Sequence, residues 1–237
     1  MNRPDDRRPD GSPPSPATDA IEARRTARRF DPDRPLSDDL LGRLIGLATL
    51  APSPSNLQPW RFVVVRDLRN RRRLRGCAFG DPRITEAPVV LIVLAYLNAD
   101  RTDLHPVVDR MLDLGAISSE GAARLRATAA REWERGGDRA LRATRPSMVA
   151  AALLMVAAES LGVASAWLEG FDEAGVREGF GIPDDHAVCG LLALGFAADV
   201  APFPGRFGLD HACFEEHFGR PWDGDASPPL DRPGPGD

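Results

Sequence analysis

A ten-residue segment with three prolines constrains this chain more than any other feature. Residues 51–60 read Ala-Pro-Ser-Pro-Ser-Asn-Leu-Gln-Pro-Trp. Proline removes a backbone donor and fixes φ, so these prolines exclude a continuous helix and a central strand. An apolar helical pattern ends near Thr49, and a β-branched run begins at Phe62. The sequence therefore predicts a rigid loop between a helix and a strand.

This proline loop also carries small polar side chains that suit contact with a polar ligand. They are Ser53, Ser55, Asn56 and Gln58, the last being the only glutamine in the chain. An alternative interpretation is a structural connector in which Trp60 fills the core, because Pro, Ser and Asn are common turn formers. The loop alone leaves both interpretations open.

Periodicity and capping signals predict the main elements of the chain. A first helix is expected after Asp19, ending near Arg28, and a second after an N-cap at Ser37. Strands are expected at about 61–66, 87–96, 164–168 and 187–196, and a short helix at 173–180. A strongly apolar helix is expected from Pro146, with Gly162 just past its end. Residues 105–142 look like a charged helical excursion. Alternating helices and strands indicate an α/β or α+β fold.

Three further motifs accompany the proline loop. Residues 24–30 read Arg-Arg-Thr-Ala-Arg-Arg-Phe, and residues 161–172 read Leu-Gly-Val-Ala-Ser-Ala-Trp-Leu-Glu-Gly-Phe-Asp. Leu-Gly-Phe follows at 194–196, and Phe-Gly-Arg-Pro-Trp at 218–222. Together with the loop, these motifs resemble the FMN-dependent nitroreductase family, from about residue 19 to residue 222. Several motifs in the family's order are far more specific than any one of them.

The resemblance implies an α+β fold, a nitroreductase-like α/β/α sandwich with a mainly antiparallel sheet, paired into an intertwined homodimer. It implies one FMN-binding domain at 19–222, with a helical excursion at 101–146 over the active site. The flanking residues 1–18 and 223–237 are rich in polar residues and proline and poor in apolar ones. Such segments cannot bury a core, so we expect two disordered tails.

One set of cofactor-binding residues implied by the resemblance comes from the subunit that holds the phosphate. Its members are Arg24, Arg25, Thr26, Arg28, Arg83 and Arg206. Arg24 and Thr26 match positions that hold the phosphate and the ribityl chain, and Arg206 matches a second phosphate ligand. Arg28 matches a cation facing N1 and O2 of the ring, and Arg83 is expected at the pyrimidine edge. Arg25 and Arg29 have a simpler alternative, pairing with nearby acids at the surface.

A second set contacts the two faces of the flavin ring. From the partner subunit, the resemblance implies contacts by the proline loop, at Pro52, Ser53, Pro54, Ser55, Asn56 and Gln58. On the other face it implies Leu168, Glu169 and Gly170. The backbone N–H groups of Glu169 and Gly170 would meet N5 and O4, so these two are the candidate catalytic residues. An ordinary turn at Glu169 and a core position for Trp167 are the alternatives.

Composition excludes several other chemistries. All 30 basic residues are arginine, which rules out a Schiff-base lysine and a P-loop lysine. The three cysteines show no metal-ligand spacing, so we assign no metal. The net charge of -5 does not favour nucleic-acid binding, and the arginine cluster at 69–75 is explained more simply as a solvated helix face. No apolar leader or membrane-length run stands out, so the cytoplasm is expected and no membrane partner.

The function predicted from these residues is an FMN-dependent oxidoreductase with NAD(P)H as co-substrate. No general acid–base residue stands out, which fits ping-pong hydride transfer to a small-molecule acceptor of the nitroaromatic, quinone or enone type. A specialised flavoenzyme of the same fold, such as a peptide-ring oxidase or a reductive dehalogenase, remains an alternative. So does a flavin-binding protein without turnover, or a helical interaction protein that uses the arginine cluster at 69–75.

Overall fold

The structure, a computed structural model, describes residues 17–135, 137–199 and 201–222. They divide into two units, one ending at Asp199 and the other within 201–222. The tails expected to be disordered lie outside the described residues, except that residues 17 and 18 begin the first helix.

The described chain contains helices and four strands in the following bounds. The helices are α1 (Ala17–Ala23), α2 (Asp38–Ala48), α3 (Leu68–Cys77), α4 (Arg83–Glu86), α5 (Ala99–Thr102), α6 (Leu104–Asp113), α7 (Ser119–Arg135), α8 (Arg139–Ser160), α9 (Glu173–Phe180) and α10 (Leu209–Ala212). The strands are β1 (Trp60–Val65), β2 (Val89–Tyr96), β3 (Ala164–Leu168) and β4 (His186–Gly195).

The strands form one sheet in the order β1-β2-β4-β3, and every neighbouring pair is antiparallel. β2 is central and buried on both faces, because its run from Val89 to Ala95 is apolar at every position. Leu91 and Leu192 face α2 and α8, whereas Ile92 and Leu191 pack with residues of α3, α4 and α9. Helices therefore cover both faces of the sheet, and the expected α+β sandwich with an antiparallel sheet is confirmed.

The helical excursion has a small core of its own. Leu104 and Val108 of α6 pack with alanines of α7 and α8, and the cluster includes Leu57 of the proline loop and Ala95 of β2. Small side chains at helical spacing allow this close packing. The many charged residues of this segment made its apolar pattern hard to recognise in the sequence. The excursion is therefore anchored on the sheet and on the proline loop.

Several local predictions are confirmed. The Ser37 hydroxyl accepts from the Leu40 N–H at 3.2 Å and caps α2. Gly162 follows the C-cap of α8 with φ 71°, a left-handed conformation that favours glycine. β3 and α9 have the predicted bounds.

Two helix boundaries were predicted wrongly. α1 ends at Ala23 rather than near Arg28, because the residues that follow pair with β3 instead. α8 begins at Arg139 rather than at Pro146. Its first turn is held by the Asp138 carboxylate, which accepts from the Ala140 N–H at 2.8 Å, so the helix forms in spite of an internal proline.

Candidate active site

The arginine segment, residues 24–30, runs beside the free edge of β3. Thr26 forms a parallel bridge with Ser165, and the Ala27 N–H donates to the Ser165 carbonyl at 3.0 Å. Ala27 and Phe30 are buried, with 5% and 1% of their surfaces exposed. Backbone pairing and these two buried side chains fix the segment, so its polar side chains project from a held backbone.

The side chains of this segment that are predicted to bind the phosphate and the flavin ring are available for a ligand. Within the described chain, the side chains of Arg24, Thr26 and Arg28 make no hydrogen bond or ion pair. Thr26 and Arg28 are exposed and Arg24 is half-buried. Two guanidinium groups and a hydroxyl on one short segment suit an anionic phosphate and a polar ring edge.

The other two arginines of the segment are already engaged. Arg25 donates from Nη1 to the Glu22 carbonyl at 2.6 Å, and Arg29 pairs through Nε with Glu86 Oε1 at 2.8 Å. Glu86 also accepts from the Phe30 N–H at 3.2 Å. Arg29 thus pairs with an acid as the surface alternative expects, although that acid comes from α4, whereas the Arg25 hydrogen bond goes to a backbone carbonyl. Cofactor binding by Arg25 stays a prediction.

The end of β3 presents two adjacent backbone donors. Leu168 is buried, whereas Glu169 and Gly170 are exposed. The N–H groups of these two residues take no part in the turn, loop and cap hydrogen bonds of the described chain. The Glu169 carboxylate accepts from Trp167 Nε1 at 2.9 Å, and Trp167 packs over Gly190. The backbone of Glu169, rather than its carboxylate, is therefore what this turn offers to a ligand.

The bridge at Thr26 brings these two sets of groups to one edge of the sheet. Because it is parallel, the arginine segment at that point runs in the same direction as β3, toward Glu169. Ser165 and Glu169 are four residues apart, which is about 13 Å of extended chain. An elongated ligand with a phosphate at one end and a polar ring at the other fits this arrangement.

The proline loop adopts a backbone that is rare for residues with side chains. Ser55, Asn56 and Gln58 have φ of 51°, 56° and 49°, all in the left-handed region. Each such residue costs about 1–3 kcal/mol and persists only where its surroundings hold it. Strain of this kind concentrates at ligand sites and switches, which favours a functional loop over a passive connector.

Contacts within the loop hold this conformation. Ser53 accepts twice, through its hydroxyl from the Gln58 N–H at 3.0 Å and through its carbonyl from the Asn56 N–H at 3.0 Å. Trp60 is 5% exposed and packs with Ala51 and Ala150. Trp60 thus fills the core as the connector interpretation expects, and it anchors the strained loop at the same time.

Within one chain, the proline loop and the arginine segment do not meet. The loop leads into β1, and the arginine segment borders β3, which are the opposite edges of the sheet. Three interstrand spacings separate these edges, about 14 Å. Contact of one ligand with both, from different chains as the resemblance implies, stays a prediction.

Arg83 forms a local ion pair with Asp81. Its guanidinium grips Asp81 with Nε–Oδ1 at 3.0 Å and Nη2–Oδ2 at 2.6 Å. The hydrogen bonds from Arg83 hold the pKa of Asp81 below its ordinary value, and the same contacts raise the pKa of Arg83. Arg206 lies in the second unit, where it donates to the Gly205 carbonyl at 2.6 Å. Ligand binding by both residues stays a prediction.

The arginine cluster at 69–75 is largely structural. Arg71 donates to the Thr85 carbonyl at 2.7 Å and to the Ala87 carbonyl, and burial lowers its pKa. Arg73 donates to the Gly179 carbonyl at 2.9 Å and Arg75 to the Gly80 carbonyl at 2.8 Å. These arginines join α3 to α4, to α9 and to the turn at Gly80, which weakens the interaction-protein alternative.

Arg61 lines two cavities of the first unit, and the sequence did not identify it as a site residue. A cavity of about 500 Å³ lies between the end of α2, the proline loop, β1 and α6. A second one of about 370 Å³ includes Tyr96, Asp185 and His186. The only available signal was the position of Arg61 directly after Gln-Pro-Trp. Neither cavity includes Arg24, Arg28 or Glu169.

Comparison with known proteins decides the family. The profile of the Nitroreductase family matches residues 21–196. The chain belongs to the nitroreductase family. The resemblance drawn from the four motifs is therefore confirmed, and the matched range includes the arginine segment, the proline loop and the turn after β3.

Curated relatives of this nitroreductase-family chain match most of its length. A protein named NADH dehydrogenase from Thermus thermophilus is 37% identical over 187 residues, covering 78% of this chain and 89% of its own. Protein DrgA from Synechocystis is 30% identical over 207 residues, covering 81% and 91%. A putative NAD(P)H nitroreductase from Bacillus subtilis, YdgI, is 28% identical and covers 80% and 92%.

Solved structures of the family share the fold. A putative nitroreductase from Exiguobacterium sibiricum, solved in complex with FMN, has a TM-score of 0.78 at 22% identity and covers 86% of this chain and 99% of its own. CLA-ER, an enone reductase of a gut-bacterial fatty acid saturation metabolism, has a TM-score of 0.75 at 21% identity, covering 85% and 98%. At this identity the likeness establishes the nitroreductase fold.

Proposed function

We propose that this protein is an FMN-dependent NAD(P)H oxidoreductase that works by ping-pong hydride transfer. Its acceptors are small molecules of the nitroaromatic, quinone or enone type. The observation that carries the proposal is the alignment, on one edge of the sheet, of three side chains and two backbone N–H groups that have no hydrogen-bond partner among the residues that the structure describes, in a chain of the nitroreductase family.

The residues present fit FMN. Arg24 and Thr26 supply charge and a hydroxyl for the phosphate and ribityl chain, and Arg28 supplies a cation for the polar ring edge. The backbone N–H groups of Glu169 and Gly170 donate hydrogen bonds without offering a competing proton acceptor. Bound FMN would supply the redox chemistry, taking a hydride from NAD(P)H and delivering it to the acceptor. The protein binds and orients the cofactor and shields it from water.

The second half of the site comes from a partner subunit in this proposal, and the protein is a homodimer. The separation of the proline loop from the arginine segment supports it, as does an exposed apolar stripe on α8. Met148, Val149 and Leu153 of this stripe are 43%, 41% and 38% exposed. By length and composition α8 could also cross a membrane. Burial of one of its faces in the core favours a soluble, cytoplasmic dimer instead.

The decisive experiment begins with the colour of the purified protein. We expect a flavin absorption band, and heat-released supernatant containing FMN by chromatography. Anaerobic NADH or NADPH should bleach the band, and a nitroaromatic, a quinone or an enone should restore it. A colourless protein, or one that releases FAD, contradicts the cofactor. A coloured protein that neither pyridine nucleotide bleaches contradicts the enzyme and leaves a binding protein.

A further inference from the structure

One arginine joins the proline loop to the helical excursion and to the centre of the sheet. Arg61 donates from Nη1 to the carbonyls of Gln58 and Trp60, at 3.1 and 2.9 Å. Its Nη2 donates to Asp103 Oδ2 at 2.7 Å. The Arg61 guanidinium carbon lies 5.2 Å from the ring centroid of Tyr96. A single side chain thus contacts three separate parts of the first unit.

Arg61 completes the support of Gln58, one of the left-handed residues of the loop. Gln58 has φ of 49°, and its N–H is held by the Ser53 hydroxyl at 3.0 Å. Its carbonyl is held by Arg61 from the other side. A left-handed residue with a side chain persists only when its neighbours fix it, and Gln58 is clamped at both ends of its backbone.

Asp103 extends this contact into the excursion. It closes α5 and begins α6, and its Oδ1 accepts from the Thr102 hydroxyl at 2.8 Å while Oδ2 binds Arg61. Asp103 and Arg61 also line the cavity of about 500 Å³ together with Val107 of α6. The N-terminus of α6 is therefore connected to the carbonyl of Gln58 through two side chains.

We propose that Arg61 is a positioning residue that holds the proline loop in its flavin-binding geometry and couples this geometry to helix α6 through Asp103. The inference rests on the proposed function, because only there is the loop assigned to FMN. Arg61 touches no flavin in this scheme. It acts through Gln58, and its planar fork is required because it serves two carbonyls and a carboxylate at once.

The test compares Arg61→Gln, Arg61→Lys and Asp103→Asn in the full-length protein. In the flavin-free protein, Arg61→Gln should raise hydrogen exchange of the Gln58 N–H roughly tenfold or more, as a charge-assisted contact is lost. In the loaded protein it should weaken FMN binding by a similar factor and alter the visible circular dichroism of the flavin. Arg61→Lys keeps the positive charge but lacks the planar guanidinium group. It should recover less than half of the lost exchange protection and of the lost FMN affinity. Asp103→Asn should change Gln58 exchange and FMN affinity in the same direction as Arg61→Gln, but by less.

Arg126→Gln is the matched control. It breaks another arginine–aspartate contact, with Asp109, between α7 and α6 and away from the loop. It should leave loop exchange and FMN affinity unchanged. Equal loop exchange in Arg61→Gln and Arg126→Gln overturns the proposal, and so does a loosened loop with unaltered FMN affinity and flavin spectrum. A wild-type protein that binds no FMN overturns the proposed function instead, and exchange in the flavin-free protein still decides whether Arg61 holds the loop.

Discussion

Arg139 grips Asp100 through two parallel hydrogen bonds, Nη1–Oδ1 at 2.8 Å and Nη2–Oδ2 at 2.9 Å. The Asp100 side chain is only 2% exposed, and Arg139 also donates to the Leu97 carbonyl at 2.9 Å. This pair fixes the first turn of α8 to α5, and the Leu97 contact links it to the residue that follows β2. It explains how α8 extends a full two turns before its internal proline, beyond the start that the sequence predicted.

Removing one partner of this pair should destabilise the protein strongly. Asp100→Asn removes the negative charge that compensates the Arg139 guanidinium in this buried pair. We expect the free energy of unfolding to fall by about 3 kcal/mol. Urea denaturation should show a lower midpoint with an unchanged slope. Asp109→Asn is the control, because Asp109 is 64% exposed in its pair with Arg126 and should change stability by about 0.5 kcal/mol or less. Equal effects of the two variants would contradict the structural role of Asp100.

Arg24→Ala should weaken FMN binding without changing the fold. A lost charge-assisted hydrogen bond is worth roughly 1.5–3 kcal/mol, so the dissociation constant should rise about tenfold to a hundredfold. Titration of the flavin-free protein by fluorescence measures it. Arg29→Ala is the control on the same segment, because Arg29 is paired with Glu86 rather than free. A larger loss in Arg29→Ala would mean that the register of the segment is wrong.

Arg28→Ala should change the redox potential more than the affinity. A cation beside N1 favours the added negative charge of the reduced cofactor, so its removal should lower the midpoint potential. Reduction by NAD(P)H should slow even at saturating FMN. Spectroelectrochemical titration and stopped-flow reduction measure the two effects. An unaltered potential in Arg28→Ala, together with a lowered one in Arg29→Ala, would place the ring-facing cation one residue later.

Val149→Glu should separate the subunits. It places a charge in the exposed apolar stripe of α8, which costs little in a monomer and much in a buried interface of the obligate type. In the proposed homodimer each flavin site needs both chains, so we expect a monomer in sedimentation and loss of bound flavin. Leu68→Glu is matched in exposure, 42% against 41%, and puts an acid in the first turn of α3 where it is tolerated. A dimeric, flavin-loaded Val149→Glu protein would rule out α8 as the interface.

The Asp81–Arg83 pair predicts how stability depends on pH. Hydrogen bonds from Arg83 depress the pKa of Asp81 in the folded state, and partial burial opposes them without reversing the direction. The pair therefore contributes stability above the unfolded carboxyl pKa of about 3.9 and loses it as pH falls through the folded value. The stability difference between wild type and Asp81→Asn in the flavin-free protein should be constant near neutral pH and shrink in acid. Urea denaturation across the acid range measures it, and a difference that grows on acidification would contradict the assignment.

The sequence by itself determined the features that depend on neighbours along the chain. The N-cap at Ser37, the left-handed Gly162 and the bounds of β3 and α9 follow from caps, turns and periodicity, which act over a few residues. The motifs placed the chain in its family, because several short segments of this sequence stand in the order typical of that family.

Only the tertiary structure decided the features that depend on distant partners. The helix at Ala23 ends early because Thr26 pairs with a strand far along the chain. Arg83 takes Asp81 as its partner, and Arg61 reaches both Gln58 and Asp103, since each contact depends on how separate elements pack. Local sequence patterns do not predict such contacts. A side chain's partner is set by the three-dimensional neighbours that folding brings to it, and these are fixed only once the sheet and its covering helices are assembled.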